Sequence, residues 1–420
     1  MERARDIRIP VDNVIRDFMA QRRYIGSKDR SDIVERFYGQ IRHHARLGWH
    51  IAQGGADDTP RARMIAFLIL HDGLSPAQAL QFFDGGTHHA AEPAEAEQRL
   101  AQALGGKVMD EAAMPDAVRL ECPAAHEEKL RAVFGEGFAA EMTAMMTPAP
   151  LDLRVNTIKA TREEARASLA ADGIDTQAGR WSPVALRAPA KSFMGKTKAF
   201  EKGLVEIQDE GSQLIALLTG ARPGMRVLDL CAGGGGKTLA IAAMMGNKGN
   251  IVAMDNDKRR LEKGKPRYRK AGVHNVELRC LDDEQHRKWL RRQKATMDVV
   301  LIDAPCSSSG TWRRNPDLRW NQYGPSLDEI IALQAEILDR AADKVKTGGR
   351  LVYATCSLFR EENEAQVEQF LARHDHYRIL PLARAWDFGG APPCEGDFMR
   401  MSPALHGTDG FFAAVLERVA

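Results

Sequence analysis

The chain has 420 residues, of which 44% are apolar and 28% charged, and its net charge is +2. That is the composition of a soluble globular protein of roughly two to four domains, and it excludes collagen-like, intrinsically disordered and disulfide-scaffold classes. A balance so close to neutral leaves any affinity for nucleic acid to local patches. The start, Met1-Glu-Arg-Ala-Arg-Asp6, carries acids and lacks an apolar core, so no secretory signal is expected. The best apolar run, Met64–Leu70, is far shorter than the roughly 18–20 residues that span a bilayer, so no membrane partner is expected. Six cysteines without a CxxC pair fit a reducing, cytoplasmic setting.

In chain order, the first stretch to about residue 112 reads as helical. Ile33, Phe37 and Ile41 recur at four-residue spacing in a segment dense in Arg and His. Such a bundle would bind RNA or a protein, or simply carry a solvated basic face. Ser75-Pro76 pairs an N-cap with a proline at the first helical position and is expected to open a helix over Ala77–Phe83. Gly85–Glu97 reads as a loop. A mixed segment, 113–204, follows: Leu151–Ile158 is strand-like, and Thr161-Arg-Glu-Glu164 is a capping-box start for a helix ending near Gly173. This predicts a small α/β module.

From about residue 205 to 420, short apolar runs alternate with helical stretches. The runs are Val227–Leu230, Ile251–Met254, Val276–Leu278, Val299–Ile302 and Leu351–Ala354, and the pattern predicts a parallel, doubly wound α/β sheet. Ser326 and Glu329 should cap a helix to about Lys346, with Ile330, Leu333, Ile337, Ala341 and Val345 on one face. Asp409-Gly410 precedes a last strand, Phe411–Leu416, expected as an antiparallel edge addition.

The chemistry concentrates at the ends of those strands. LDLCAGGGGKT, Leu228–Thr238, runs from a strand into a helix. A Walker A loop needs glycine where Cys231 stands, and a GxGxxG dinucleotide loop begun at Gly233 needs it where Thr238 stands. A glycine loop with neither phosphate fingerprint suits S-adenosylmethionine, which carries no pyrophosphate. Asp255, at the next strand end, suits ribose hydroxyls. Asp282 suits an adenine amino group and is preferred to Asp283 because it follows directly on its strand. Asp303-Ala-Pro-Cys306 and Thr355-Cys356-Ser357 place two cysteines at strand ends beside the loop, without a third ligand at zinc spacing. Thiol nucleophilic catalysis accounts for them better. Lys and Arg outnumber Asp and Glu about two to one between Asp255 and Lys294. Arg313-Arg314 is expected to contact RNA, and Trp312 or Trp320 to stack a base.

These motifs resemble the RNA cytosine-C5 methyltransferases of the Sun/nucleolar-protein family. Arg154-Val-Asn156-Thr-Ile-Lys159, Gln208-Asp-Glu-Gly-Ser-Gln213, LDLCAGGGGKT, DAPCSSSGT, TCS with Glu361-Glu-Asn363, and Asp409-Gly-Phe-Phe412 occur in the family's order. The basic N-terminal helices, with Tyr24-Ile-Gly-Ser-Lys-Asp-Arg30, resemble a NusB-like RNA-binding extension. The resemblance implies a Rossmann-like S-adenosylmethionine-dependent catalytic domain behind a small RNA-binding module, acting on RNA, with ribosomal RNA favoured over transfer RNA, as a monomer. It implies that Cys356 is the nucleophile and that Cys306 helps release product. Asp303 would hydrogen-bond the cytosine and Lys237 would lie near base or cofactor. Cys231, Ala232, Gly233, Gly234, Gly235, Gly236, Lys237, Asp255 and Asp282, with Asp303, would line the cofactor site. DNA cytosine-C5 methyltransferases use the PC cysteine instead, so the presence of both cysteines points to the RNA enzyme. A non-enzymatic RNA-binding assembly factor is the alternative; loss of a cysteine or of Lys237 would favour it, and none is lost. Two departures stand out: Gly234 replaces a usual proline, predicting a more flexible loop, and PCSSSG replaces a PCSGTG-like run.

Overall fold

A computed structural model of the chain describes residues 9–87 and 89–420; the start Met1–Asp6 discussed above lies outside them. The chain forms two compact units. One holds the residues up to Thr147 together with Trp312–Gly324, and the other holds Pro148–Thr311 and Pro325–Ala420. The expected boundary at 112/113 therefore falls inside the first unit, and the one at 204/205 inside the second. No helix among the described residues is long and apolar enough to cross a membrane.

The first unit is all helical. Thr59 caps the helix Pro60–Leu70 by accepting from the Ala62 N–H, and Ser75 and Gln78 form a reciprocal capping box on a helix, Pro76–Leu80, shorter than expected. The expected loop ends at Glu95, where the helix Glu95–Leu104 begins. Leu47, Ile51, Ile65, Leu68 and Leu100 are buried together as its core. Of the predicted stripe, Ile41 is buried but Ile33 is 38% exposed.

Much of this unit's Arg and His density is turned inward. Arg46 is buried, with its Nε 3.1 Å from Glu121 Oε1. The same carboxylate accepts the backbone N–H groups of Ala45 (2.7 Å) and Arg46 (3.1 Å), the orphan donors at the start of the helix His44–Gln53. Burial pushes the Glu121 carboxyl up to about 7 against these partners, and burial pushes His43 down to about 3. These residues form neither a solvated face nor an RNA surface.

The segment Trp312–Gly324 corrects a second expectation. Trp312 is 2% exposed and packs beside His126 and Arg319. Trp320 donates its indole N–H to Ile41 O at 3.1 Å and lies 4.7 Å from the His44 ring. Arg313 is also buried, and its carbonyl accepts from Arg42 at 3.1 Å. Trp312, Trp320 and Arg313 serve the interior of the helical unit rather than stacking bases or holding phosphates; only Arg314 of the group is exposed.

In the second unit, an antiparallel sheet is built from β1 (Leu151–Val155), β2 (Gln177–Ala178), β3 (Ala185–Ala188) and β4 (Val205–Ile207), in the order β2-β3-β1-β4. The helix Arg162–Ala171 covers it, with the Thr161/Glu164 capping box in place. Leu153, Ala165, Leu169 and Val205 share its small core.

The large sheet contains β5 (Arg226–Asp229), β6 (Asn250–Asp255), β7 (Val276–Cys280), β8 (Met297–Asp303), β9 (Val345–Thr355), β10 (Tyr377–Ile379), β11 (Met399–Met401) and β12 (Phe411–Arg418). Its order is β10-β12-β9-β8-β5-β6-β7, with β5 to β9 parallel and β11 paired to β12. Successive strand residues alternate faces, so Val227 and Leu301 join one apolar cluster while Leu228 and Ile302 join the other. Helices cover both faces, which is why these strands read as continuous apolar runs. The chain order reverses between β5 and β8, a topological switch point, and ligands of open α/β sheets bind outside the carboxyl ends of strands there.

Two strand expectations shift. β12 runs antiparallel to β9 but is not an edge, because β10 and β11 flank it. The helix capped by Ser326 and Glu329 ends at Ala342, and Val345 and Lys346 open β9.

Candidate active site

The glycine loop leaves β5 and enters the helix Gly236–Met244. Gly233 and Gly235 take φ of +53° and +80°. At Gly235 a Cβ would lie 2.0 Å from the Tyr268 hydroxyl, so glycine is required by both backbone and space. The Ala232 N–H reaches Met254 O at 2.9 Å, and the Gly233 N–H reaches Asp255 Oδ2 at 2.8 Å. Asp255 also accepts from Asp257 N at 2.9 Å and is 4% exposed. Beneath the loop, Asp229 is fully buried, accepts from Thr238 at 2.6 Å, and is pushed up to about 7 by that burial.

The freedom expected from Gly234 is countered from outside the loop. Arg267 donates to Gly234 O at 2.5 Å while pairing with Glu206 at 3.0 Å, and Arg154 donates to Gly236 O at 2.7 Å. Arg154 also bonds the Gln208 side chain, and Asn156 donates to Gly203 O and Ala271 O at 2.9 Å. The RVNTIK and QDEGSQ motifs thus brace the loop. Their residue types alone carried no sign of this; only their recurrence in the family's order marked them.

A cavity of about 790 Å³ opens at the carboxyl ends of the parallel strands, lined among others by Cys231, Asp255, Asp282, Asp303, Cys306 and Cys356. Of the loop, Leu230 and Cys231 reach its wall; Ala232–Gly236 and Lys237 do not. Asp283 instead caps the helix Glu284–Arg292 by accepting from the Gln285 N–H. Lys237 places Nζ 2.6 Å from Asp303 Oδ2. Burial pushes the Cys231 thiol up, which makes it a poor nucleophile. Among the described residues, no group of three or more His, Cys, Asp or Glu is arranged to hold a metal ion.

The two cysteines meet at the cavity. Cys306 Sγ lies 3.3 Å from Cys356 Sγ. The hydrogen bond from Cys306 lowers the Cys356 thiol, with help from Ser308 and Lys237, while the same bond and burial raise Cys306. Only one of the two thiols, Cys356, is therefore activated.

Ser308 was not singled out by sequence. Its φ is +58°, in the left-handed region that favours glycine, and its hydroxyl stands 3.5 Å from Cys356 Sγ, placed to donate once that sulfur is a thiolate. Ser308→Gly should therefore keep or raise the melting temperature, by relieving strain of about 1 kcal/mol. It should also slow iodoacetamide modification of Cys356 at pH 8 by about two- to fivefold, the worth of one hydrogen bond. Thermal denaturation and alkylation kinetics read the two effects separately.

The family model described as 16S rRNA methyltransferase RsmB/F matches residues 216–417, and the one for the ferredoxin-like domain of RsmF/B-like methyltransferases matches residues 123–190. The chain is 32% identical to a probable ribosomal RNA small subunit methyltransferase B of Synechocystis, over 76% of this chain and 71% of that protein. It is 30% identical to the ribosomal RNA small subunit methyltransferase B of Yersinia enterocolitica, over 85% of each. A crystal structure of a methyltransferase homolog protein from Pyrococcus horikoshii, 29% identical, superposes with a TM-score of 0.60 over 72% of this chain and 97% of that one. With the switch-point cavity, the braced glycine loop and the paired cysteines on one sheet, these likenesses show that the chain belongs to the 16S rRNA methyltransferase RsmB/F family.

Proposed function

We propose that the protein methylates carbon-5 of a cytosine in ribosomal RNA, using S-adenosylmethionine, with Cys356 as nucleophile and Cys306 in product release. The observation that carries the reading is the thiol pair: two sulfurs 3.3 Å apart in one cavity, with Cys356 the more acidic. The same cavity fits the cofactor. The Asp255 carboxylate keeps lone pairs beyond the two backbone bonds it accepts, enough for ribose hydroxyls, and Asp282 is exposed on the wall for an adenine amino group. S-adenosylmethionine supplies an electrophilic methyl group.

Carbon-5 of cytosine is too weak a nucleophile to take that methyl unaided. Addition of the Cys356 thiolate to carbon-6 breaks the ring's aromaticity and pushes electron density onto carbon-5. Asp303, paired with Lys237, faces the cavity and is the group that hydrogen-bonds the cytosine where charge develops near ring nitrogen 3. After transfer, the carbon-5 proton must leave before the Cys356 bond breaks. Cys306, kept protonated by burial and its neighbour, is the adjacent group that positions a water to carry that proton away to solvent. The target base must be unstacked to reach both sulfurs.

Bisulfite sequencing of total RNA from a deletion strain against its parent tests the reading. Loss of one ribosomal 5-methylcytosine is expected; loss confined to transfer RNA would move the substrate, and no lost site would remove the activity. The cofactor half is tested by calorimetry on the full chain. Asp255→Ala should weaken S-adenosylmethionine binding by about tenfold or more, since hydrogen bonds to a charged acceptor are lost, and Asp255→Asn should cost less. Preference for NADH or ATP would sink this assignment.

A further inference from the structure

The Glu361-Glu362-Asn363 motif has no part in the chemistry above, yet Glu362 is fully buried and bonded to Ser307 and Ser357, the residues that follow the two cysteines in sequence. We propose that Glu362 is a positioning residue: its carboxylate ties the Cys306 loop to the Cys356 loop and so sets the distance between the two sulfurs. From the first loop, Ser307 donates its backbone N–H to Oε1 at 2.8 Å and its hydroxyl to Oε2 at 2.5 Å. From the second, the Ser357 hydroxyl donates to Oε2. Gln334, on the helix Leu327–Ala342, donates to Oε1 at 3.0 Å and to Pro305 O at 2.9 Å, backing the first loop.

Asn363 completes the tie. It donates to Ser357 O at 3.0 Å and accepts from the Thr355 hydroxyl at 2.5 Å, so it clasps Cys356 from both sides in sequence. Directly between the loops, the Gly310 N–H reaches Cys356 O at 2.9 Å.

Glu362 is bonded as a positioning group rather than as a catalytic or packing one. An ionised carboxylate has about four acceptor sites, and the four donors here occupy them, so none is left for a substrate proton. A buried carboxylate without a cation is costly unless hydrogen-bonded, and among the described residues Glu362 has no ion pair. An apolar side chain would pack the same space at lower cost, but it could not accept from both loops. Glu362 also bears on the thiols electrostatically, since its charge raises Cys306.

The proposal rests on the two-thiol reading for its purpose, but its geometry is testable without RNA or cofactor. Dibromobimane becomes fluorescent when it bridges two thiols a few ångströms apart, and peptide mapping identifies the bridged pair. The full-length parent should form the Cys306–Cys356 bridge. In Glu362→Ala, bridging should slow by about tenfold or more, as misplacement of about an ångström does to reacting groups, and by clearly more than single alkylation of Cys356, which loses only the stabilisation of one hydrogen bond. Glu362→Gln, which keeps an acceptor for Ser307 N–H and pairs with reversible hydroxyls, should restore most of the bridging. A merely structural role would lower the melting temperature of the variants without changing the bridging rate of folded protein.

Bridging at the parental rate in Glu362→Ala overturns the proposal, as does a Glu362→Gln protein that bridges as poorly as Glu362→Ala. If Glu362→Ala does not fold, the double variant Ser307→Ala/Ser357→Ala severs two of the ties and keeps the carboxylate. Slowed bridging there supports the proposal and parental bridging overturns it. Slow bridging in the variants combined with no methylated cytosine from the parent would leave the positioning role standing and remove only the proposed reaction.

Discussion

Cys356→Ala is expected to abolish turnover, by at least about 10⁴-fold, as removal of a nucleophile that acts as one unit with its partners does. No protein–RNA species should survive denaturation, because no thiolate remains to attack carbon-6. Cys306→Ala should behave differently: attack and methyl transfer proceed, elimination stalls, and a covalent adduct accumulates as a slow band on a denaturing gel. The structure sharpens this asymmetry. Cys306 is the hydrogen-bond partner that lowers Cys356, so Cys306→Ala should also move the pH dependence of adduct formation upward. The expected sign follows from the thiolate fraction, which falls at fixed pH when the thiol is raised. A band from Cys356→Ala and none from Cys306→Ala would reverse the two roles, in the manner of the DNA enzymes. No band from either would assign elimination to another base.

Asp303→Ala should lower kcat by about 10²–10³-fold, the usual loss for one preorganised partner at a developing charge. S-adenosylmethionine affinity should change much less if the carboxylate serves the base rather than the cofactor. The ion pair with Lys237 complicates a single substitution, because the ammonium, with a side chain only 10% exposed, is then left without its carboxylate. A double-mutant cycle with Lys237→Met resolves this. If Asp303 acts only by holding Lys237, the double variant should be no slower than Lys237→Met alone. An additional loss in the double variant assigns Asp303 its own contact with the substrate, and calorimetry showing cofactor binding lost in step with kcat would move it to the cofactor site.

The arrangement of the helical unit bears on how its contribution to RNA binding can be tested. Cutting the chain near residue 110 would remove Ile41, His44 and Arg42 from Trp320 and Arg313, and would strand the helices between Asp116 and Ala144. A fall in RNA affinity after such a cut would mix lost phosphate contacts with an unfolded segment. Charge reversal at exposed positions such as Arg23 or Lys28 avoids this, and a reduced salt slope of RNA binding is the result expected of a phosphate-binding surface.

What the sequence determined by itself is whatever depends on neighbours a few residues apart. The N-cap at Ser75 and the capping boxes at Thr161 and Ser326 close within one turn, and each stands where it was expected. The five parallel strands were visible because burial on both faces makes each a continuous apolar run, and the glycine loop because backbone conformation at Gly233 and Gly235 admits few alternatives. Only tertiary structure decided the rest, because the partners lie far apart in the chain. Trp320 meets Ile41 across 279 positions, and Arg154 meets Gly236 across 82. A tryptophan beside two arginines has the same composition whether it stacks on RNA or fills a helical core. Val345 carries the helical period of the segment before it, yet pairing with Met297 draws it into β9. The unequal acidity of Cys306 and Cys356 is of the same kind. Each residue has the same thiol, and only the 3.3 Å approach between two strand ends, with Ser308 and Lys237 beside Cys356 and Glu362 beside Cys306, makes them unequal.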